Sequence, residues 1–196
     1  MKAKKENVCL ACSIFKYELE QLKKEGNIDL PVSYLTSMLH MKPGELEKKL
    51  YEENKKLSAE NKNVILLYGD CCPFMNKFEE KPNVKRTEGI NCIEILLGKE
   101  RYRKLRKDGA FFLMPEWTLR WEEVFKFELK LDGDIAKEFM REFHSKIIYL
   151  DTEQIEIPYK QIKEIKEYTG LNVEFIKADI KELNSSIQTA IKKFYQ

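Results

Sequence analysis

No stretch of this 196-residue chain approaches the roughly 20 consecutive apolar residues that a membrane-spanning helix needs, so none is expected. Charge of one sign is also lacking. Lys and Arg total 35 against 33 Asp and Glu, a net charge of +2, so no global field recruits nucleic acid or an anionic lipid surface. The loop after the first apolar run, "ACSIFKYEL", holds no glycine, which argues against a Rossmann or Walker phosphate cradle. Neither a GxSxG elbow nor an HExxH helix occurs, and no CxxC…CxxC pattern announces a zinc ribbon. The start, "MKAKKENVCLACSIF", is basic but its apolar part is short and charged residues follow at once, so a secretory leader is not expected and the cytoplasm is.

What remains is an ordinary globular composition, 43% hydrophobic and 11% aromatic, in a length suited to one well-buried domain spanning residues 1–196. Short apolar runs alternate with amphipathic stretches. "NVCLACSIF", "LPVSYLTSMLH", "NVILLYG", "AFFLMP", "SKIIYLDT" and "LNVEFIKAD" read as strands. The segments after most of them carry apolar residues at helical spacing, as in "KPGELEKKLYEENKKLSAEN" with Leu46, Leu50 and Leu57. "NCIEILLGKERYRKLRKDG" reads as one helix capped by Asn91, "EWTLRWEEVFKFELKL" as another, and Gly170 as the stop of a third. This order predicts an α/β fold, a three-layer, doubly wound, mostly parallel sheet of five to six strands with helices on both faces.

Ligands of such sheets sit outside the carboxyl ends of the strands. That rim gathers Cys12 from the first strand, His40 from the second, Asp70, Cys71 and Cys72 after the third, and Glu116 and Trp117 after "FFLMP". Cys92 joins them if Asn91 caps its helix, and a helix N-terminus favours a thiolate. Five cysteines in a chain of cytosolic character fit metal or redox chemistry better than a disulfide framework. Cys12, Cys71 and Cys92 with His40 make a Cys3His set suited to zinc, or three thiolates holding an iron–sulfur cluster with one open iron; Cys72 is the alternative to Cys71. Asp70, Glu116 and Trp117 would line the pocket beside a bound small molecule.

Each of these residues also has a structural reading. A free cysteine is commonly a small buried hydrophobe, and Cys9, mid-strand and on the opposite face from Cys12, belongs to that class. His40 would otherwise bond the loop before Pro43, and Asp151 and Asp179 would cap the next helices. A disulfide between the adjacent Cys71 and Cys72 is strained, which ranks a thiol-redox role last. A non-catalytic binding module with structural cysteines is the alternative from another class.

The blocks "LACSIFKYELEQL", "LHMKPGEL", "LLYGDCCP", "GINCIEILLGKERYRKL" and "AFFLMPEWTLRW" resemble, in order and over nearly the whole chain, an uncharacterised bacterial and archaeal family of unknown function. Its members are often encoded beside corrinoid-dependent methyltransferases in anaerobes and methanogens. The resemblance implies a role in anaerobic one-carbon or methyl metabolism, with a corrinoid protein or methyltransferase as partner and either methyl transfer or a redox accessory step as the activity. It also matches Cys12, His40, Cys71 and Cys92 to the family pattern. Where many relatives carry a histidine and an aspartate before the last cysteine, this chain has Ile90 and Asn91, so no acid–base role carries over there.

Overall fold

The computed structural model describes residues 5–129 and 133–196. Met1–Lys4 of the predicted non-leader segment, and the last two residues of the predicted helix over 116–131, lie outside that range.

The first half follows the expected alternation. β1 (Asn7–Cys12) leads through a 3-10 turn (Ser13–Phe15) into α1 (Lys16–Lys24), then β2 (Val32–Leu35) and a second 3-10 turn (Ser37–Met41) into α2 (Pro43–Ala59). β3 (Asn63–Leu67), α3 (Met75–Glu79), β4 (Val84–Arg86), α4 (Cys92–Leu97) and α5 (Lys99–Lys107) complete it. The second half runs β5 (Ala110–Leu113), α6 (Pro115–Leu119), a π-helical stretch (Glu123–Glu128), α7 (Gly133–Phe143), β6 (Lys146–Asp151), α8 (Tyr159–Thr169), β7 (Val173–Lys177) and α9 (Lys181–Lys192).

The parallel α/β class is as predicted, but the strands divide between two sheets. One has four strands in the order β2-β1-β3-β4 and the other three in the order β5-β6-β7, and every pairing is parallel. Among the described residues, the expected single sheet of five to six strands is thus replaced by seven strands in a four-plus-three arrangement. Strand periodicity carries no information on which strands pair, since the central strands of both sheets, β1, β3 and β6, are alike buried on both faces.

Alternation along β1 explains the layering. Cys9 and Ala11 point, with Ile65 and Leu67 of β3, into a core that also holds Leu19 and Leu22 of α1, Leu96 of α4, Leu183 and Ile187 of α9, and Ile148 and Leu150 of β6. Both sheets therefore share this middle layer. Val8, Leu10, Val64 and Leu66 turn the other way, onto Leu46, Leu50 and Leu57 of α2 and Phe78 of α3. Ile147 and Tyr149 of β6 face outward onto Ala136 and Met140 of α7 and Ile162 and Ile165 of α8.

Two further differences from expectation have local causes. The helix predicted from Asn91 to Asp108 is broken at Gly98, whose φ of +76° no L residue adopts readily; α4 ends and α5 begins there. The run "LPVSYLTSMLH" is strand only to Leu35, because the Thr36 side chain accepts a bond from the Met38 N–H and starts a 3-10 turn. His40 therefore lies on a turn past the strand.

Candidate functional site

The four-stranded sheet reverses its direction of winding between β1 and β3, where β1 proceeds to β2 on one side and β3 to β4 on the other. A crevice forms outside the carboxyl ends of two such strands because their following segments leave in opposite directions. A cavity of about 50 Å³ lies at this point, walled by Ile14, Phe15, Leu46 and Leu67. Around it stand Cys12, His40, Tyr68, Cys71, Cys92 and Trp117. Five of these six were expected at the rim; Tyr68 was not, although its place directly after β3 and before Gly69 marks it as a strand-exit residue.

Convergence of the thiols depends on Gly69. A Cβ there would collide with the backbone of Ile90 and Asn91, and the Asp70 N–H donates to the Ile90 carbonyl at 2.8 Å. The exit of β3 and the start of α4 thus touch backbone to backbone, which sets Cys71 beside Cys92. Asn91 caps α4 as predicted, its side chain accepting from the Glu94 N–H at 2.9 Å and donating to the Tyr102 hydroxyl at 2.7 Å.

The carboxylate of Glu116 is absent from the cavity wall but ties the wall together. It accepts from the Ser37 hydroxyl at 2.8 Å, from Arg120 at 2.9 Å and, at 3.5 Å, from the Ser13 hydroxyl. Ser13 Oγ in turn accepts from the Ser37 N–H at 2.8 Å. Ser13 follows Cys12, Ser37 opens the turn that carries His40, and Glu116 precedes Trp117. One nearly buried carboxylate therefore bonds together three segments of the wall, while Glu116, expected to line the pocket, is not among the residues that line the cavity. The His40 ring meets the edge of Trp117 with centroids 5.9 Å apart, at the solvent side of the cavity.

Asp70 points away from the cavity to Arg86, 2.7 Å distant. Cys72 is buried on the α2 side of the sheet and does not line the cavity. Cys71 borders both the cavity and a solvent-open groove shared with Asp70 and Cys72, so it forms the partition between them. Cys9 is fully buried in the shared middle layer, on the face opposite Cys12. Asp151 and Asp179 accept from the N–H groups of Glu153 and Lys181, two residues on, which makes local turns; neither caps a helix as expected, since Pro158 and Ile180 precede α8 and α9.

The electrostatics correct one expectation. Burial pushes the Cys92 thiol up to about 12, and neither its own backbone N–H nor that of Ile93 offsets this. The expected thiolate at this short helix start is not favoured without a cation. Burial likewise raises Cys71 to about 11 and Cys12 well above the ordinary thiol value; Cys92 and Cys71 raise Cys12 further, as neighbouring anions would. Burial lowers His40, favouring the neutral imidazole, which is the form that ligates metals.

Among the described residues, no three His, Cys, Asp or Glu side chains stand close enough together to hold a metal ion. The donor types suit a thiophilic metal; their spacing is wider than a coordination sphere. No described helix is long and apolar enough to cross a membrane.

A family model whose description is a protein of unknown function matches residues 34–187, a span that includes His40, Cys71, Cys92 and Trp117 and leaves out Cys12. No curated protein and no solved structure matches the chain.

Proposed function

The chain belongs to the DUF1638 family, and from its cavity we propose that it is a cysteine-dependent metalloprotein, the switch-point chamber being its binding site. The occupant is a thiophilic centre, zinc or an iron–sulfur cluster, taken up by Cys12, Cys71 and Cys92 with His40 at the fourth position. A single observation carries this reading: three free thiols from three separate segments, with a histidine from a fourth, line one small cavity where parallel sheets bind ligands. Soft sulfur donors select such metals, and coordination supplies the charge that turns a buried thiol into a thiolate. Uptake requires the thiols to close on the chamber. Cys71, on the partition to the solvent groove, is the residue that can swing.

Bound there, the metal would supply Lewis acidity or electron transfer, while Trp117 and the apolar wall keep water out and Glu116 holds the segments in place. The family resemblance adds the setting, anaerobic one-carbon or methyl metabolism in the cytoplasm beside a corrinoid protein or methyltransferase. A second reading, favoured by the wide spacing of the donors, makes the chamber a non-catalytic small-ligand site with structural cysteines.

Anaerobic purification followed by metal analysis and an absorption spectrum tests the proposal. A brown protein with near-equal iron and sulfide, or a colourless one with about one zinc, supports it. Cys12→Ser, Cys71→Ser and Cys92→Ser should each abolish binding. Protein that is metal-free as purified and takes up neither centre on reconstitution refutes the metal reading and leaves the second.

A further inference from the structure

Outside the chamber, a groove of about 340 Å³ runs between the loop after β4, the junction of α4 and α5, and α9. A second, of about 450 Å³, adjoins it along β4; the two share Glu88, Gly89, Glu94 and Lys193, and neither shares a lining residue with the chamber. Most acids of this double groove are matched. Asp70 and Glu79 both pair with Arg86, and Glu88 pairs with Lys193 at 3.0 Å. Glu94 and Glu182 pair with no described residue.

Glu94 is the telling one, because it is only 8% exposed. It stands third in α4 after the Asn91 cap, where a glutamate ordinarily folds back onto the backbone N–H of the cap. Here no described donor meets its carboxylate. Sealed, unpartnered polar atoms occur on Glu18, Asn54, Tyr68, Trp117 and Ser186 but not on Glu94, so its unbonded oxygens are open to the grooves it borders. Gly89 brings the facing wall down onto α4: at φ +132° it sits so close to Ile95 that an added Cβ would meet the Ile95 side chain at 2.6 Å.

A carboxylate largely withdrawn from water is costly without a donor, and folded chains seldom keep one so. The lysines of the groove do not serve it, Lys193 being held by Glu88 and Lys99 opening α5. A metal ion fits poorly, since no three His, Cys, Asp or Glu among the described residues approach closely enough to hold one. An ammonium or guanidinium group needs only one carboxylate and a few neutral acceptors, which the hydroxyls of Ser185 and Thr189 on α9 supply. The Glu182 carboxylate lies over Gly98, 3.6 Å from where a Cβ would stand, and adds a second negative charge at the helix junction. Glu88, Glu94 and Glu182 against Lys99 and Lys193 leave the groove one negative charge in excess.

We infer that this groove binds a small organic cation, with its ammonium or guanidinium group on the Glu94 carboxylate and the rest of the molecule directed along α9 towards Glu182. At roughly 10–15 Å³ per water-sized group the space admits a free amine of amino-acid size. The site goes beyond the chamber and stands whether or not the chamber takes up a metal.

The glycines make the test specific. Gly89 and Gly98 border the groove, Gly69 borders the chamber, and Gly26, next to the exposed Glu25, borders neither. The anaerobically purified chain is titrated with agmatine at physiological salt and followed by two-dimensional nitrogen–proton NMR. The Gly89 and Gly98 amide peaks should move saturably, with a Kd on the order of 0.1–1 mM, while Gly69 and Gly26 stay. Glu94→Gln keeps the volume and removes the charge; it should unfold within a few degrees of the parent and weaken agmatine at least tenfold. Glu182→Gln, at an exposed position, should weaken it only about two- to threefold.

Agmatine binding of parent strength in Glu94→Gln overturns the inference, as does the absence of any saturable shift at Gly89 and Gly98. A Gly26 peak that moves over the same concentrations also overturns it, because the cation then pairs with surface acids in general. 1-Butanol moving the two groove peaks as readily as agmatine overturns the cationic class, and magnesium or calcium doing so at lower concentration makes the groove a metal site instead. A Gly-Arg-Gly peptide blocked at both ends that binds more tightly than agmatine overturns the free small molecule as the source of the cation.

Discussion

Replacing Glu116 by alanine isolates the strut that organises the chamber. The carboxylate is buried to 7% exposure and accepts one strong hydroxyl bond, one longer hydroxyl contact and a guanidinium bond. Hydrogen bonds to a charged group contribute roughly 1.5–3 kcal/mol each, but Arg120 keeps its pairing to Glu123 and is partly solvated, which discounts that share to a surface value. The Ser37 bond and the cavity left behind then dominate, for a loss of about 3 kcal/mol. For a chain of this length that corresponds to a fall of about 6–12 °C in Tm. Glu116→Gln keeps the volume and one acceptor and should lose about half as much. The assay is thermal unfolding of both variants together with metal uptake. Because Ser13 and Ser37 flank Cys12 and the His40 turn, binding should weaken in a well-folded Glu116→Gln at temperatures far below its Tm. Parent-like binding in that variant refutes the strut, leaving Glu116 a stabilising residue with no hold on the site.

Three other perturbations separate structural from functional roles. Gly69→Ala places a methyl group into the backbone of Asn91; it should push α4 off β3, lowering Tm and abolishing metal uptake, whereas Gly44→Ala, with open space around it, should do neither. Cys9→Ser puts a hydroxyl into the fully buried core, so urea unfolding should show a loss of about 1–3 kcal/mol with metal content unchanged; loss of metal would mean Cys9 is a ligand. Glu18 is fully buried, with one carboxyl oxygen bonded to the Thr152 hydroxyl at 2.8 Å and the other unpaired, and burial raises it from 4.5 to about 7. Thr152, Glu116, Tyr34 and Tyr149 face it from other elements, and Glu116 opposes its ionisation further. The folded state thus holds a proton that the unfolded chain releases above 4.5. Its contribution is complete below that pH and is lost as pH rises through 7, by up to about 3 kcal/mol. Stability curves from pH 4 to 8 should show that fall in the parent and not in Glu18→Gln; identical curves refute it.

The parts of the fold legible in the sequence are those set by local rules. Asn91 had to cap because its side chain reaches the Glu94 N–H, Gly170 had to end α8 because it takes φ +69°, and Cys9 and Cys12 had to part because strand side chains alternate. The chamber was legible by the same logic, since any residue at a strand exit reaches the rim whatever the order of strands. What escaped depended on contacts far apart in the chain. β4 is three residues, Val84–Arg86, two of them basic, and becomes a strand only because β3 offers an edge; no pattern in "VKR" says so. The division into two sheets depends on α1, α4 and α9 being apolar enough to fill a layer between them. Glu18 did leave a trace, lying between Phe15 and Leu22 on the spacing of the buried helix face, where a carboxylate is out of place unless something meets it. Glu116 could be placed at the rim from its strand exit, but its bonds left no trace: its partners Ser13 and Ser37 lie 103 and 79 residues away, and only folding brings them together. Cavity-lining residues can thus be read from strand ends one segment at a time. The group that holds those segments in mutual register belongs to no segment's pattern and has to be found in the folded chain.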